Sequence, residues 1–408
     1  MVAAEFDLPA GHVDIPPVAI AALPSRGIAE ADVLAEVKER FGRNNYGHDR
    51  NFAISYSGIP AAITRKVEEM AVGEFFVEWA DSETGTLSME REAVGMMAGL
   101  LGKPDAPGFI TTGGTESNLA ALRLARNSGK RDAPEFIVPV TIHFSFRLGA
   151  ELMGIHLVEV EVDDRTLLPD IADVERAITP RTVGLACSAP AGSFGTMEPV
   201  EAFADLAWRK GLYFHVDAAF GGFILPFMKE LGYDVPPFDL SLPGVSSIST
   251  DGHKLGLLPI STGFFLARDA ELFEAIPTER TLIHTTSSTK PGSRAAAAWA
   301  ALRNLGWEGY VRSTRHVLAL RDIIVDGVTA IPGMSLAAPT FISVVGFAST
   351  SIDLERVHRN LLEAGWGHSY GVLRGRPFIR LSIHPSRTTD GARGFVEAFE
   401  AAVARAES

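Results

Sequence analysis

The sequence predicts an α/β fold, with a large unit on a mostly parallel sheet and a smaller C-terminal α/β unit after it. Three observations carry this expectation. From Gly108 onward, short apolar runs (GFITT, EFIVPV, IHLVEVEV, TVGLACS, LYFHVD, GVSSIST, TGFFLA) alternate with helical patterns such as ESNLAALRLARN and PVEAFADLAWRK. Glycine or polar turns separate them, and strands that alternate with helices at this spacing pair in parallel, with helices on both faces. After about residue 285 the rhythm shifts to long helical stretches and then to a shorter mixed set. The expected divisions are an N-terminal arm and helix over 1–55, a large domain over 56–290, and a small domain with connecting helices over 291–408.

Taken in order, residues 1–28 are rich in proline and glycine and read as an extended arm. EADVLAEVKERFG follows with helical spacing: Val33, Leu34, Val37 and Phe41 share one face, and Gly42 ends it. NNYGHDRNFAISYSGIP is loop-like, with His48, Tyr56 and Ser57 available to face a ligand or solvent. Two helices are expected in AAITRKVEEMAVGEFF and SMEREAVGMMAGLLG, ahead of the alternating segment. Beyond it, KPGSRAAAAWAALRNLG and GYVRSTRHVLALRDIIVDGV read as long helices. MSLAAPTFISVVGFA, PFIRLSIHP and DGARGFVEAFEAAVARA make up the smaller unit.

Composition narrows the function. The chain has 408 residues, 46% hydrophobic, enough for a large core, and a formal net charge of −13. No Lys/Arg cluster forms a basic stripe, which argues against nucleic acid as partner. The single cysteine, Cys187, permits no internal disulfide and fits a reducing compartment. In TVGLACSAP it reads as a buried strand residue rather than a nucleophile. The N-terminal residues lack a basic segment followed by an apolar one, and no run of about 18 uncharged apolar residues occurs. A cytoplasmic protein without a membrane span is expected.

Four segments carry candidate chemistry. TTGGTESN (111–118) sits where a strand hands over to a helix; Gly113 and Gly114 allow close backbone approach, Thr115 adds a hydroxyl, and the helix N-terminus suits a phosphate. A plain tight turn capped by Thr115 is the alternative. His143 follows a strand and opens an amphipathic helix, where an imidazole can stack on an aromatic ligand or simply pack. Asp217, in HVDAAFGGF, ends a strand; a buried acid there needs a cationic or donor partner such as a protonated pyridine nitrogen, or else caps the next turn. Small residues, including Ala219, follow it and leave room for something flat. Lys254, in SSISTDGHKLG, lies between His253 and an apolar run, a setting that favours the nucleophilic form of an amine able to make a Schiff base.

The order is more specific than any single piece: phosphate turn, stacking histidine, acid on a strand, then a lysine 37 positions after that acid. In TTGGTESNLAALRLARN, HFSFRLGAELMG, HVDAAFGGFILPF, FDLSLPGVSSIS, DGHKLGLLPI and GSRAAAAWAALRNLGWEGY the chain resembles the group II pyridoxal-phosphate decarboxylases. The likeness is to archaeal-type tyrosine/aspartate decarboxylases and bacterial glutamate decarboxylases, and more distantly to sphingosine-phosphate lyase. It implies fold type I (aspartate aminotransferase-like) and pyridoxal 5'-phosphate as cofactor. By the same resemblance, Lys254 is the Schiff-base lysine, Asp217 the partner of the pyridine nitrogen, His143 the residue stacked on the ring, and Ala219 the small residue on its other face. Gly114 and Thr115 match the phosphate turn, His253 also approaches the phosphate, and Ser293 falls where a neighbouring subunit completes the phosphate site, implying a homodimer. Arg380, in PFIRLSIHPSR, lies on a strand where such enzymes hold a carboxylate.

The implied reaction is decarboxylation of an acidic or aromatic L-amino acid to its amine. The alternatives are Cα–Cβ cleavage of a hydroxylated or phosphorylated amino compound, with release of an aldehyde, and aminotransfer. The chain departs from the family at three places. It has Gly-His-Lys where tyrosine/aspartate relatives have Pro-His-Lys. Ala191-Gly192-Ser193-Phe194-Gly195 replaces a Gly-Thr-Thr-x-x-Gly turn, leaving Ser193 or Ser188 to replace its threonine. TERTLIHTTSSTKPGSR has no tyrosine to act as proton donor, and His284 is the nearest chemical stand-in.

Overall fold

The computed structural model describes residues 26–42, 48–53, 58–72, 85–276, 291–373 and 375–407. Before the alternating segment lie α1 (Glu30–Gly42), α2 (Ala62–Met70) and α3 (Gly85–Leu100). The alternating segment then runs β1 (Gly108–Thr111), α4 (Gly114–Gly129), β2 (Glu135–Pro139), α5 (Ser145–Met153), β3 (His156–Val160), α6 (Ile171–Arg176), β4 (Thr182–Ser188) and α7 (Val200–Lys210). It continues with β5 (Tyr213–Asp217), α8 (Leu225–Glu230), β6 (Ser247–Asp251) and β7 (Gly263–Ala267). Beyond it come α9 (Gly292–Thr329), β8 (Met334–Leu336), β9 (Val344–Ser349), α10 (Leu354–Glu363), β10 (Ser369–Leu373), β11 (Arg376–Ser382) and α11 (Thr389–Glu407).

Strands β1–β7 form a seven-stranded sheet in the order β1-β7-β6-β5-β4-β2-β3. The pairs β2–β3, β2–β4, β4–β5 and β5–β6 are parallel, whereas β7 runs antiparallel to both β1 and β6. Every strand but β7 therefore points the same way. The carboxyl ends of β1, β2, β4, β5 and β6 share one edge, where open α/β sheets hold ligands. The central strands read as continuous apolar runs because both faces are covered: β2, β4, β5, β6 and β7 are buried throughout. On one face α4 and α5 pack Leu122, Leu124 and Phe146 against Phe136, Val138 and Phe265. On the other, α3, α7, α8 and α9 enclose a larger core that includes Phe203, Phe214, Phe223 and Phe264.

The two helices expected beyond residue 291 join as α9, broken at Gly306, whose φ of 58° lies outside the helical region. Strands β8–β11 form an antiparallel four-stranded sheet in the order β10-β11-β9-β8, covered by α10 and α11. Cys187 is buried in β4, and burial pushes its thiol pKa well up, as suits a core residue. Helix α2 ends at Met70 with Ala71 as its C-cap, and residues 73–76 of the expected AAITRKVEEMAVGEFF helix lie outside the described residues. Among the described residues no helix is long and apolar enough to cross a membrane.

Candidate active site

The turn after β6 presents Lys254 at the carboxyl edge of the sheet. The turn is held tightly: His253 donates its backbone N–H and Nδ1–H to Thr262 O at 3.1 and 2.9 Å, and Tyr310 of α9 donates to Gly256 O at 2.9 Å. Lys254 Nζ is 2.9 Å from Asp251 Oδ2 and 4.3 Å from the centre of the Phe220 ring. The apolar run predicted an amine among hydrophobic groups. The amine instead faces a buried carboxylate on one side and an aromatic ring on the other.

β1 delivers the turn expected to hold a phosphate. Gly113 precedes α4 with a φ of 140°, and a Cβ there would stand 2.8 Å from His253 Cε1. Only glycine lets the backbone lie so close to that ring. Gly114 and Thr115 open α4, where first-turn N–H groups lack acceptors within the helix. Glu116 reaches back to accept from Thr112 N and Thr112 Oγ1 at 2.7 and 2.9 Å, which fixes the loop as it enters the helix.

β5 ends in Asp217, 6% exposed. Its Oδ2 accepts from Asn118 Nδ2 at 2.8 Å and its Oδ1 from Ala219 N at 3.0 Å. Ala219 leaves space beside it. From the end of β2, His143 projects into the same cleft, and its Nδ1 lies 2.8 Å from Ser145 Oγ. The residue keeps an exposed surface, yet partial desolvation lowers its pKa, with the Asp217 charge opposing. His253 is likewise lowered by desolvation, against the field of Asp251.

Gly114, Thr115, His143, Asp217, Ala219, His253 and Lys254 all line one cleft of about 310 Å³. Arg380 stands on β11, from the smaller sheet, close enough for its charge to be felt at His143. Its Nε and Nη2 both donate to Gly192 O, at 3.0 and 2.5 Å. Ser293, on the first turn of α9, is not in this cleft. Its neighbour Arg294 lines a second cavity, of about 290 Å³, which His253 also borders, and pairs with Glu68 at 2.9 Å. Ser193 donates to Thr141 O at 3.4 Å, and Ser188 ends β4 beside Asp217. His284, Tyr56 and Ser57, and the side chain of His48, lie outside the described residues.

Four polar residues escaped the sequence reading. Asp251, three positions before Lys254, is the partner of its amine. Glu198 is buried and accepts from Ser188 N at 2.6 Å and Thr141 Oγ1 at 2.8 Å, tying the end of β4 to the loop that carries His143. Asn118 and His215 are buried behind Asp217. Asn118 was open to discovery as a polar residue on the apolar face of a helical pattern.

These residues fit a flat cofactor bearing a phosphate. The helix N-terminus and its two glycines form a backbone cradle, and Asp217 as a buried acceptor, Ala219 as a small side chain and the Lys254 amine line the same cleft.

Comparison with known proteins agrees. The pyridoxal-dependent decarboxylase conserved domain matches residues 62–349. The chain is 34% identical over 369 residues to a protein of Thermococcus kodakarensis named L-aspartate decarboxylase, covering 89% of this chain and 94% of that one. It is 37% identical over 306 residues to a protein of Methanothermobacter thermautotrophicus named probable L-tyrosine/L-aspartate decarboxylase, covering 74% and 83%. The solved sphingosine-1-phosphate lyase of Burkholderia pseudomallei superposes with a TM-score of 0.86 at 26% identity, covering 98% of this chain and 95% of that one. A domain match across the large sheet and relatives above 30% identity along the chain place it in the pyridoxal-dependent decarboxylase family.

Proposed function

We propose that this pyridoxal-phosphate-dependent decarboxylase acts on an acidic L-amino acid, L-aspartate first among them. The observation that carries the proposal is Arg380. Burial lowers its pKa to about 10, so it stays cationic at neutral pH, and among the described residues no carboxylate pairs with it. A desolvated guanidinium near the cleft without an acid of its own is suited to a carboxylate brought by substrate. Two relatives carry aspartate in their names.

Pyridoxal phosphate, when bound, supplies an electron sink for the pair left on Cα as CO₂ departs. The chain does the rest. Lys254 would hold the cofactor through its amine. The N-terminus of α4, with Gly114 and Thr115, holds the phosphate, and His253 stands at that end. Asp217 would accept from a protonated nitrogen of the group. His143 and Ala219 line the same cleft and would bound a flat group there. Arg380 would fix a substrate carboxylate, and so set the orientation of the bonds at Cα. The reaction is L-aspartate plus a proton giving β-alanine and CO₂. His284 is the proposed donor of that proton to Cα.

The protein is proposed to work as a homodimer in the cytoplasm. Helix α1 has no buried residue, and Val33, Leu34, Val37 and Phe41 expose an apolar face of the kind a second copy covers. In this reading, Ser293 of one copy completes the phosphate end of the other's site. The large and small domains keep the divisions expected above, and substrate sits between Lys254 of the first and Arg380 of the second.

The test supplies L-aspartate labelled at C1 or at C4, alongside L-glutamate and L-tyrosine. Labelled CO₂ from C1 only, with β-alanine formed in equal amount, is expected. Release from tyrosine but not aspartate would reject the acidic substrate. A second reading, cleavage of Cα–Cβ, is favoured by the structural likeness to the sphingosine-1-phosphate lyase. It would show as aldehyde from a phosphorylated amino alcohol and no CO₂ from any amino acid.

A further inference from the structure

The hydrogen bonds behind the cleft form one chain whose direction can be worked out atom by atom. Asp217 Oδ2 accepts from Asn118, so the NH₂ group of that amide must face the acid. Its second hydrogen goes to Ser145 Oγ at 3.0 Å. Asn118 Oδ1 then faces the other way and accepts from His215 Nε2 at 3.1 Å and Ser249 Oγ at 3.2 Å. His215 is fully buried, and desolvation lowers its pKa to about 4, so it is neutral. With its proton on Nε2, its Nδ1 must accept from Ser247 Oγ at 2.7 Å, and Ser247 Oγ in turn accepts from Tyr213 OH at 2.5 Å.

The other branch is as constrained. Ser145 is buried and its Oγ accepts from Asn118, so the acceptor left for its own hydrogen is His143 Nδ1 at 2.8 Å. The Ser145 backbone N–H adds a longer bond to the same atom at 3.3 Å. His143 Nδ1 is thus an acceptor twice over, and the neutral ring carries its proton on Nε2.

We propose that Asn118 is a positioning residue that sets two groups of the cleft at once: it holds Asp217 as an acceptor and, through Ser145, fixes His143 as the Nε2–H tautomer. His215, Ser249, Ser247 and Tyr213 lock the amide so that it cannot flip. The two groups look independent, one from β5 and one from the loop after β2. They share a single amide. The consequence for catalysis rests on the site reading above, but the tautomer does not.

Exchanging the amide for a carboxylate reverses the Ser145 branch. In Asn118→Asp the new side chain accepts the Ser145 hydroxyl, whether ionised or sharing a proton with Asp217. Ser145 Oγ then has a lone pair to offer His143 instead of a hydrogen, and the imidazole proton moves toward Nδ1. The experiment records ¹⁵N spectra of the full chain labelled at histidine, with and without added pyridoxal phosphate, and identifies His143 by its loss in His143→Gln. The expected result is an unprotonated Nδ1 and a protonated Nε2 in the unaltered protein, with the two shifts converging or exchanging in Asn118→Asp. Ser145→Ala removes only the hydroxyl and is expected to give mixed shifts; it decides the matter if Asn118→Asp does not fold. An unaltered protein with its proton on Nδ1, or an unchanged pattern in a folded variant, overturns the proposal. Failure of pyridoxal phosphate to bind the unaltered protein would instead reject the site reading.

Discussion

Glu198 offers a thermodynamic test that needs no substrate. It is 1% exposed, and burial raises its carboxyl pKa from 4.5 to about 7, helped by the nearby Asp217 charge and opposed by the bonds from Ser188 N and Thr141 Oγ1. The folded state therefore binds this proton more tightly than the unfolded chain does. Its stabilisation is complete below about pH 4.5 and is lost as the pH rises through about 7. A rise of this size corresponds to about 3 kcal/mol. Glu198→Gln is neutral throughout and keeps an acceptor for Ser188 N, so it lacks this pH dependence. The stability of the unaltered protein minus that of Glu198→Gln should fall by about 3 kcal/mol between pH 4.5 and pH 8. Urea unfolding of both proteins across that range measures it, with two spectroscopic probes as a check on two-state behaviour. His215, lowered to about 4, has the opposite sign: its contribution is present above pH 6.5 and is lost as the pH falls through 4. It is common to both proteins and cancels in the difference. Parallel stability curves would refute the reasoning.

Two predictions concern the reaction. Arg380→Lys keeps the charge but loses the planar fork, and charge-assisted bonds of about 1.5–3 kcal/mol imply a fall in kcat/KM for aspartate of about 10- to 150-fold. An aromatic substrate should lose less if Arg380 serves the side-chain carboxylate, which steady-state kinetics on both substrates would reveal. His284→Phe should lower turnover by about 10²- to 10⁴-fold with the cofactor still bound, the range for loss of a general acid, and unchanged turnover would remove His284 from the mechanism.

The large sheet was legible because its strands are buried on both faces and so appear as apolar runs, and because glycine or polar turns mark their ends. The site was legible for a related reason: Thr115, His143, Asp217 and Lys254 each fall just past such a run, and a sheet whose β1, β2, β5 and β6 run the same way gathers those positions at one edge. What the spacing did not reveal lies in contacts across the chain. Asn118 meets His215 and Ser249 at separations of 97 and 131 residues, with no local pattern to announce them. The reversal of β7 was hidden because a buried strand looks apolar in either direction. Helix α10 and strand β10 are short and only partly buried, so their periodicity spans few residues. At Lys254 the partly desolvated setting was legible from the apolar run after it, whereas the pairing with Asp251 depends on how the turn after β6 folds back.

The central claim is that Lys254 holds pyridoxal phosphate in the cleft that Asp217 and His143 line. Its most direct test is borohydride reduction of the protein after incubation with pyridoxal phosphate, followed by peptide mass mapping. A phosphopyridoxyl group on Lys254 alone, lost in Asp217→Ala under limiting cofactor, is the predicted result. Labelling spread over surface lysines, or on another lysine with Lys254 unmodified, would contradict it.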